Sequence, residues 1–243
     1  LYGLQLTPGL RDQKPAFRWP ARAWQSNPAL PRALGMIAVL QDAAALQPLL
    51  AALLGYLLGS IPFGLVFGYL SGQGDIRKIG SGNIGATNAL RTGKKWVALL
   101  TLIGDAGKGA VAVWLARTTL ASNAAIDPGL AAGIAAFIGH LYPIWLGFKG
   151  GKGVATFIGT LLAITWPIGL AACGVWLLTL ALYRYSSLAS LNSAFMSPIL
   201  AVGIEETRLG LAIAIMTVLI FLKHSANISR LRKGTEPKVG RKP

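Results

Sequence analysis

The chain has 243 residues, of which 53% are hydrophobic and 13% are charged, and its 23 lysines and arginines against 8 acidic residues give a formal net charge of +15. Such an apolar and sparsely charged composition is untypical of soluble domains and predicts an integral membrane protein, in which a basic excess marks the cytoplasmic loops. It argues against nucleic-acid binding, because no basic stripe alternates with aromatic residues on a soluble domain.

The first 35 residues differ from the rest of the chain. They contain five prolines and scattered cations, without the apolar core of about 7–15 residues that a signal peptide needs. The chain begins with Leu1, and an apolar segment opens at Met36. We therefore expect residues 1–35 to be a disordered or non-native extension and residues 36–243 to form a single transmembrane domain.

Seven membrane spans are predicted, since a span needs about 20 mostly apolar residues. The apolar segments in chain order are Leu49–Leu70, Trp96–Ala116, Gly129–Gly147, Val154–Tyr183, Leu188–Gly203 and Leu209–Leu222. The fourth segment is too long for one straight span, and Trp166 and Pro167 interrupt it. We expect two short helices there, with a turn near Pro167.

The positions of the basic residues favour this count. With seven spans every basic cluster falls on one side of the membrane, whereas a single crossing over residues 154–183 would place the basic C-terminal tail opposite the first two basic loops. The predicted fold class is therefore all-α: a polytopic membrane protein of about seven transmembrane helices, with its N-terminus outside and its C-terminus cytoplasmic.

Three polar segments lie on that basic side, namely Gly80–Arg91, Phe148–Thr156 and Lys223–Lys238. Each combines cations with small or amide side chains and adjoins the end of a span. Small residues let backbone N–H groups approach an anion closely, so the three together predict a phosphate-binding pocket at the bilayer edge. Helix packing or lipid anchoring could explain one such segment alone, but anchoring requires charge and not glycine.

Several common catalytic arrangements are absent from the sequence. The segment from Gly147 to Gly153 has three residues before Gly-Lys where a Walker A loop has four, and it ends in Gly instead of Ser or Thr. There is no Gly-x-Ser-x-Gly elbow and no His/Cys cluster for zinc. Neither histidine is followed at the fifth position by Asp. The lack of a strong general base predicts a substrate that arrives already activated; no metal or cofactor is expected.

The three segments resemble, in order, the signature motifs of the bacterial acyl-phosphate:glycerol-3-phosphate acyltransferases, the PlsY family, over about Met36 to Lys238. The resemblance implies acyl transfer from acyl phosphate to the sn-1 hydroxyl of glycerol 3-phosphate, the first acylation of phospholipid synthesis. The products would be lysophosphatidic acid and phosphate. It also implies an active site on the cytoplasmic face of the bacterial inner membrane. The expected partners are the two substrates, the bilayer and an enzyme that makes acyl phosphate.

The resemblance assigns roles to residues of all three segments. The expected catalytic residues are Ser81, Arg91, Lys152, His224 and Asn227. The expected substrate-binding residues are Gly80, Gly82, Asn83, Thr87, Asn88, Lys149, Gly150, Gly151, Gly153, Thr156, Ser187, Ser190 and Glu236. Ser187 and Ser190 are alternatives for one further polar position of the family's site. The glycines of the second segment would let the backbone approach phosphate, and the departing phosphate or another substrate phosphate oxygen would accept the proton.

Two other interpretations remain open at this point. A transporter of a phosphorylated metabolite would also combine glycine-broken spans with cationic sites, although it should carry polar groups at mid-membrane in both repeat halves. A purely structural membrane partner would not need so many phosphate donors.

Asp105 and Lys108, three apart in the second span, are either functional or a pair that braces the motif helices.

Overall fold

The computed structural model describes residues 46–120, 126–203 and 207–240, and the expectation for residues 1–35 lies outside this part of the chain. The described residues form helices joined by short turns and loops, and no strand occurs among them. The all-α prediction is confirmed for these ranges.

The helices are numbered here in chain order. They are α1 (46–59), α2 (Phe63–Leu70), α3 (Ala86–Ala89), α4 (Lys95–Thr119), α5 (Pro128–Leu141), α6 (Val154–Ile164), α7 (Trp166–Tyr183), α8 (Ser186–Val202), α9 (Thr207–Lys223) and α10 (Ser225–Arg232). Short 3₁₀ turns cover Ile76–Lys78, Leu90–Thr92 and Ile144–Leu146.

Four stretches within the described residues are long and apolar enough to cross a membrane: Leu46–Leu70, Lys95–Thr119, Pro128–Leu146 and Trp166–Tyr183. Helices α9 and α10, bent by 63° at their junction, qualify as a fifth when taken together, and α6 and α8 are shorter apolar helices. The predicted fold class, a helical protein with several membrane-spanning segments, is thus confirmed.

The predicted break within residues 154–183 is also present. Helix α6 ends at Ile164 and α7 begins at Trp166, with Thr165 between them in a non-helical conformation (φ −149°, ψ 87°). Pro167 lies in the first turn of α7, where its missing N–H has no intrahelical partner to lose. The chain therefore turns just before the proline.

Small residues bring the helices of the bundle close together. Gly55 and Gly59 of α1 lie against the backbone of Ala132 and Ala136 of α5, where a Cβ on either glycine would overlap a carbonyl oxygen. Gly159 of α6 meets α4 in the same way. Close backbone approach of this kind is how membrane helices gain packing contacts without a hydrophobic driving force. The bundle holds the loops at its helix ends in defined positions.

An ion pair buried within α4 contacts three other parts of the bundle. Lys108 Nζ donates to Asp105 Oδ1 and to the carbonyl oxygen of Ile61, both at 2.9 Å, and Ile61 lies in the break between α1 and α2. Thr156 Oγ1 of α6 donates to the backbone oxygen of Asp105 at 2.7 Å. His140 Nδ1 lies 3.4 Å from Asp105 Oδ1. These contacts are those of a structural brace.

We expect Asp105→Asn to lower the free energy of unfolding by about 3–5 kcal/mol, because it leaves the Lys108 ammonium buried without its counter-ion. Thermal unfolding of the full chain in detergent measures this. Asp75→Asn is the matched control, since Asp75 pairs with Arg77, whose side chain is 40% exposed, and such pairs contribute at most about 1 kcal/mol. Equal losses in the two variants would contradict the assignment.

Candidate functional site

Asn88 organises the loop between α2 and α3 from within. Its side chain is buried, its Oδ1 accepts the N–H of Ser81 at 2.9 Å, and its Nδ2 donates to the backbone oxygens of Ile76 (2.7 Å) and Asn83 (2.8 Å). Both amide hydrogens are therefore used inside the protein. The structure thus places Asn88 as the residue that shapes the loop, in contrast to the expected direct contact with substrate.

The surface of this loop carries the groups that are available to a ligand. Ser81 is exposed, and its hydroxyl lies 3.2 Å from Asn88 Oδ1. Gly80 adopts a left-handed conformation (φ 56°), and the side chain of Arg91 lies directly over it, in the space that a Cβ would fill. Thr87 Oγ1 lies 3.0 Å from Ser186 Oγ, so the loop contacts the start of α8.

Gly150 and Gly151 fit the loop before α6 tightly against the end of α5. The Gly150 N–H donates to the carbonyl oxygen of Leu141 at 3.2 Å, and the Gly151 N–H donates to that of His140 at 3.0 Å. A Cβ on Gly151 would overlap the His140 imidazole. The fold itself therefore uses both N–H groups, and the expected role of Gly150 and Gly151 in substrate binding stays a prediction.

Because the glycines on both sides of Lys152 pack closely against α5, the backbone that carries the Lys152 side chain is held in one position. Gly153, which follows it, has φ 81° and precedes the first turn of α6, and a Cβ there would overlap the Phe137 ring. A left-handed conformation at such a position favours glycine. The close packing of Gly151 and Gly153 thus fixes the backbone on both sides of Lys152, and the expected contact of Gly153 with substrate stays a prediction.

Five side chains from distant parts of the sequence form one connected network. Lys152 Nζ donates to Asn227 Oδ1, and Asn227 Nδ2 donates to Glu236 Oε1 at 2.6 Å. Ser187 Oγ donates to the same carboxylate oxygen at 2.7 Å, and Arg230 Nε donates to Glu236 Oε2 at 2.7 Å. The network joins the second and third polar segments to the start of α8. The sequence predicted that these two segments lie on the same side of the membrane.

Glu236 remains ionised at the centre of this network. Burial raises the pKa of its carboxyl group, but hydrogen bonds from Ser187, Asn227 and Arg230 more than offset this, so that the pKa lies below its ordinary value. Hydrogen bonds to a carboxylate favour the charged form in this way. Glu236 can therefore hold Asn227 and Arg230 in place at neutral pH.

Lys152 is poised between charged and neutral forms. Burial lowers the pKa of its ammonium group to about 8; the nearby Glu236 carboxylate opposes the shift, and the guanidinium groups of Arg230 and Arg91 add to it. Two further cations thus act on the Lys152 ammonium, in addition to the Glu236 carboxylate. Mutual repulsion of this kind would be relieved by a bound anion, so the cluster is electrostatically suited to phosphate.

His224 lies buried at the junction of α9 and α10. Its Nδ1 is 2.8 Å from the carbonyl oxygen of Ile220, and because a carbonyl only accepts, Nδ1 carries the proton. In the neutral ring Nε2 then holds the lone pair. His224 and Asn227, three residues apart, are both buried here.

The remaining expected residues separate into three groups: one in the network, two buried outside it, and three on loop surface. Ser187 reaches Glu236, whereas the Ser190 hydroxyl donates to Ser186 O at 2.8 Å and accepts the Trp176 indole N–H at 3.2 Å, so Ser190 lies outside the network. Thr156 is buried with its hydroxyl hydrogen on Asp105 O, and it too is outside. Gly82, Asn83 and Lys149 line exposed or half-exposed loop surface.

Sequence reasoning missed Arg230, which forms the network's ion pair with Glu236. A signal for it was present, since Arg230 follows Asn227 by three residues and therefore shares its side of α10.

Within the described ranges, no group of three or more His, Cys, Asp or Glu side chains is placed to hold a metal ion.

The chain is similar to known proteins over most of its length. The family model described as glycerol-3-phosphate acyltransferase matches residues 49–234. A glycerol-3-phosphate acyltransferase of Jannaschia sp. (strain CCS1) is 56% identical over 206 residues, covering 85% of this chain and 99% of the relative. One of Rhodospirillum rubrum is 53% identical over 210 residues, covering 83% and 97%.

Solved structures show the same similarity. The crystal structure of PlsY (YgiH), described as an integral membrane glycerol 3-phosphate acyltransferase in its glycerol 3-phosphate form, superposes with a TM-score of 0.73 at 36% identity, covering 79% of this chain and 96% of that one. Its lysophosphatidic acid form superposes with a TM-score of 0.71 at 34% identity, covering 79% and 94%.

Proposed function

The chain belongs to the glycerol-3-phosphate acyltransferase family, and on this premise we propose that it transfers an acyl group from an acyl phosphate to the sn-1 hydroxyl of glycerol 3-phosphate. The products are lysophosphatidic acid and inorganic phosphate. The glycerol 3-phosphate and lysophosphatidic acid forms of PlsY support the acceptor and the product. Membership of an acyltransferase family also favours this function over the alternative of a transporter of phosphorylated metabolites.

The connected network around Glu236, with its three neighbouring cations, is the observation that carries the proposal. Both substrates bring a phosphate, and two phosphates can approach each other only where cations offset their repulsion. Lys152, Arg230 and Arg91 supply these charges. Glu236 holds Arg230 and Asn227 in fixed orientations, so that little reorganisation is needed when the substrates bind.

The proposed reaction needs little help from an acid or base. The sn-1 oxygen forms an ester bond with the acyl carbon, the bond from that carbon to the phosphate oxygen breaks, and the hydroxyl proton passes to the departing phosphate. Holding the hydroxyl beside the acyl carbon can itself lower the barrier by about 7–11 kcal/mol in favourable cases. Ser81 and Asn83 of the first loop, with His224 and Asn227, orient the glycerol hydroxyls in this scheme.

The proposal includes seven membrane crossings, with the N-terminus outside and the C-terminus in the cytoplasm of a bacterial inner membrane. The shorter apolar helices α6 and α8, together with the bent pair α9 and α10, support the three crossings beyond the four long spans. The active site then faces the cytoplasm, where an acyl-phosphate-synthesising enzyme can deliver the donor.

A single assay tests the reaction. The purified full chain in lipid micelles is mixed with palmitoyl phosphate and glycerol 3-phosphate, and released phosphate and lysophosphatidic acid are measured together. We expect equal amounts of both, and no product when palmitoyl-CoA replaces palmitoyl phosphate. Product formation from palmitoyl-CoA alone would disprove the proposed donor, and no product from either would disprove the reaction.

The pKa of Lys152 predicts how the reaction depends on pH. Because the pKa of the free protein's Lys152 is about 8, its charge is lost above that pH, and kcat/KM for glycerol 3-phosphate should fall towards tenfold per pH unit. Lys152→Arg is the matched control, since a guanidinium stays charged throughout this pH range. The same fall in this variant would assign the titration to another group.

A further inference from the structure

An open groove lies on the outer side of α8, α9 and α10, apart from the polar network. Its volume is about 750 Å³, and its walls are apolar: Phe195 from α8, Val218 and Phe221 from α9, and Ile228 from α10. Drug-sized ligand sites commonly occupy about 300–1,000 Å³. A groove of this size is large enough to hold a hydrocarbon chain.

Cations mark one end of this groove. Arg232 at the end of α10 and Lys233 directly after it line the groove, and both are exposed. Two hydroxyl side chains, Ser225 and Ser229, line it as well. Apolar walls that end in a pair of cations match the chemistry of a lipid, with its chains against the walls and its anionic headgroup at the cations.

Helix α10 separates the groove from the polar network. Ser225, Ile228, Ser229 and Arg232 follow the i, i+3, i+4, i+7 spacing of one helix face and line the groove. Asn227 and Arg230 lie on another side of the same helix and bond to Glu236. The groove is therefore distinct from the network, although one short helix serves both.

We propose that this groove binds an anionic phospholipid of the bilayer. The two cations pair with the lipid phosphate, the hydroxyl of Ser229 one turn before them can donate to its oxygens, and the acyl chains lie along Val218, Phe221 and Ile228. This binding does not depend on the acyl-transfer reaction, and it can be measured in the absence of either substrate.

Native mass spectrometry of the full chain released from detergent micelles tests the proposal, with phosphatidylglycerol and phosphatidylcholine as the two probes. Wild-type protein should retain phosphatidylglycerol preferentially. One interfacial cation strengthens anionic-lipid binding about fivefold, so the double variant R232Q/K233Q should weaken it about 25-fold. The control K78Q/K95Q removes two exposed cations elsewhere and should leave the preference unchanged. An equal loss in the control would overturn the proposal, since general surface charge would then explain it.

A second pair of variants tests the groove wall. Val218→Trp fills the groove and should abolish lipid retention, whereas Ile215→Trp on the same helix, at a residue equally exposed (60% against 58%), should not. Retention by the Val218 variant would overturn the proposal. Displacement of the lipid by millimolar inorganic phosphate would show a free-phosphate site instead. A rise in KM for palmitoyl phosphate in the Val218 variant alone would show that the groove takes the donor's chain.

Discussion

Replacement of Lys152 by alanine is expected to lower kcat/KM for glycerol 3-phosphate by about 10²–10³-fold, the cost of removing one preorganised donor from a reaction centre. Lys152 is half-buried and bonded to Asn227, and the charges of Glu236, Arg230 and Arg91 act on its ammonium group. Its loss removes charge where both phosphates are expected to meet. Steady-state phosphate release with palmitoyl phosphate at saturating concentration measures the effect.

The matched control for this prediction is Lys95→Ala. Lys95 is an exposed cation at the start of α4, on the same predicted side of the membrane. Surface substitutions away from a site usually change free energies by at most about 0.5 kcal/mol, so activity should stay within about twofold. Comparable losses in the two variants, or full activity without Lys152, would remove Lys152 from the proposed site.

A single added methyl group at Gly151 is expected to reduce activity by about 10²-fold. The Cβ of Gly151→Ala would overlap the His140 imidazole, which is itself buried beside Asp105. The loop must then move away from α5, and Lys152 moves with it. A misplacement of about 1 Å at a reacting centre can cost this much rate. The expected readout is a large loss of activity in a protein that still unfolds cooperatively.

Gly107→Ala provides the comparison for this effect. Gly107 lies within α4, and a Cβ there would meet no atom within 4 Å. Alanine is favoured over glycine in a helix interior by about 1 kcal/mol. We therefore expect unchanged activity and equal or higher thermal stability. Full activity of the Gly151 variant would show that the contact with His140 does not hold Lys152 in position.

The choice between Ser187 and Ser190 illustrates what the sequence could not decide. Both serines lie in the first turns of α8, three residues apart, and both are buried. Only Ser187 meets Glu236, because the chain turns at Gly234 after α10 and brings Glu236 back beside the start of α8. The return path of a segment 49 residues away has no signature in the local pattern of α8.

The glycines of the second segment show a different limit. Glycine next to lysine is compatible both with a loop that wraps phosphate and with a loop that packs closely against a helix end. Gly150 and Gly151 do the latter, since their N–H groups bond to the carbonyl oxygens of Leu141 and His140. The local pattern does not distinguish these two uses of glycine, because the partner of each N–H group lies in another helix.

Hydropathy, proline positions and the distribution of cations by themselves determined the helical membrane class, the break before Pro167 and the three polar segments. These properties depend on the chain's interaction with lipid and water and on local backbone sterics, both of which can be judged from short stretches. The tertiary structure alone decided which polar side chains meet. The bond from Lys152 to Asn227 joins residues 75 apart, and that from Ser187 to Glu236 joins residues 49 apart. Such contacts arise from the packing of whole helices, which no local pattern specifies.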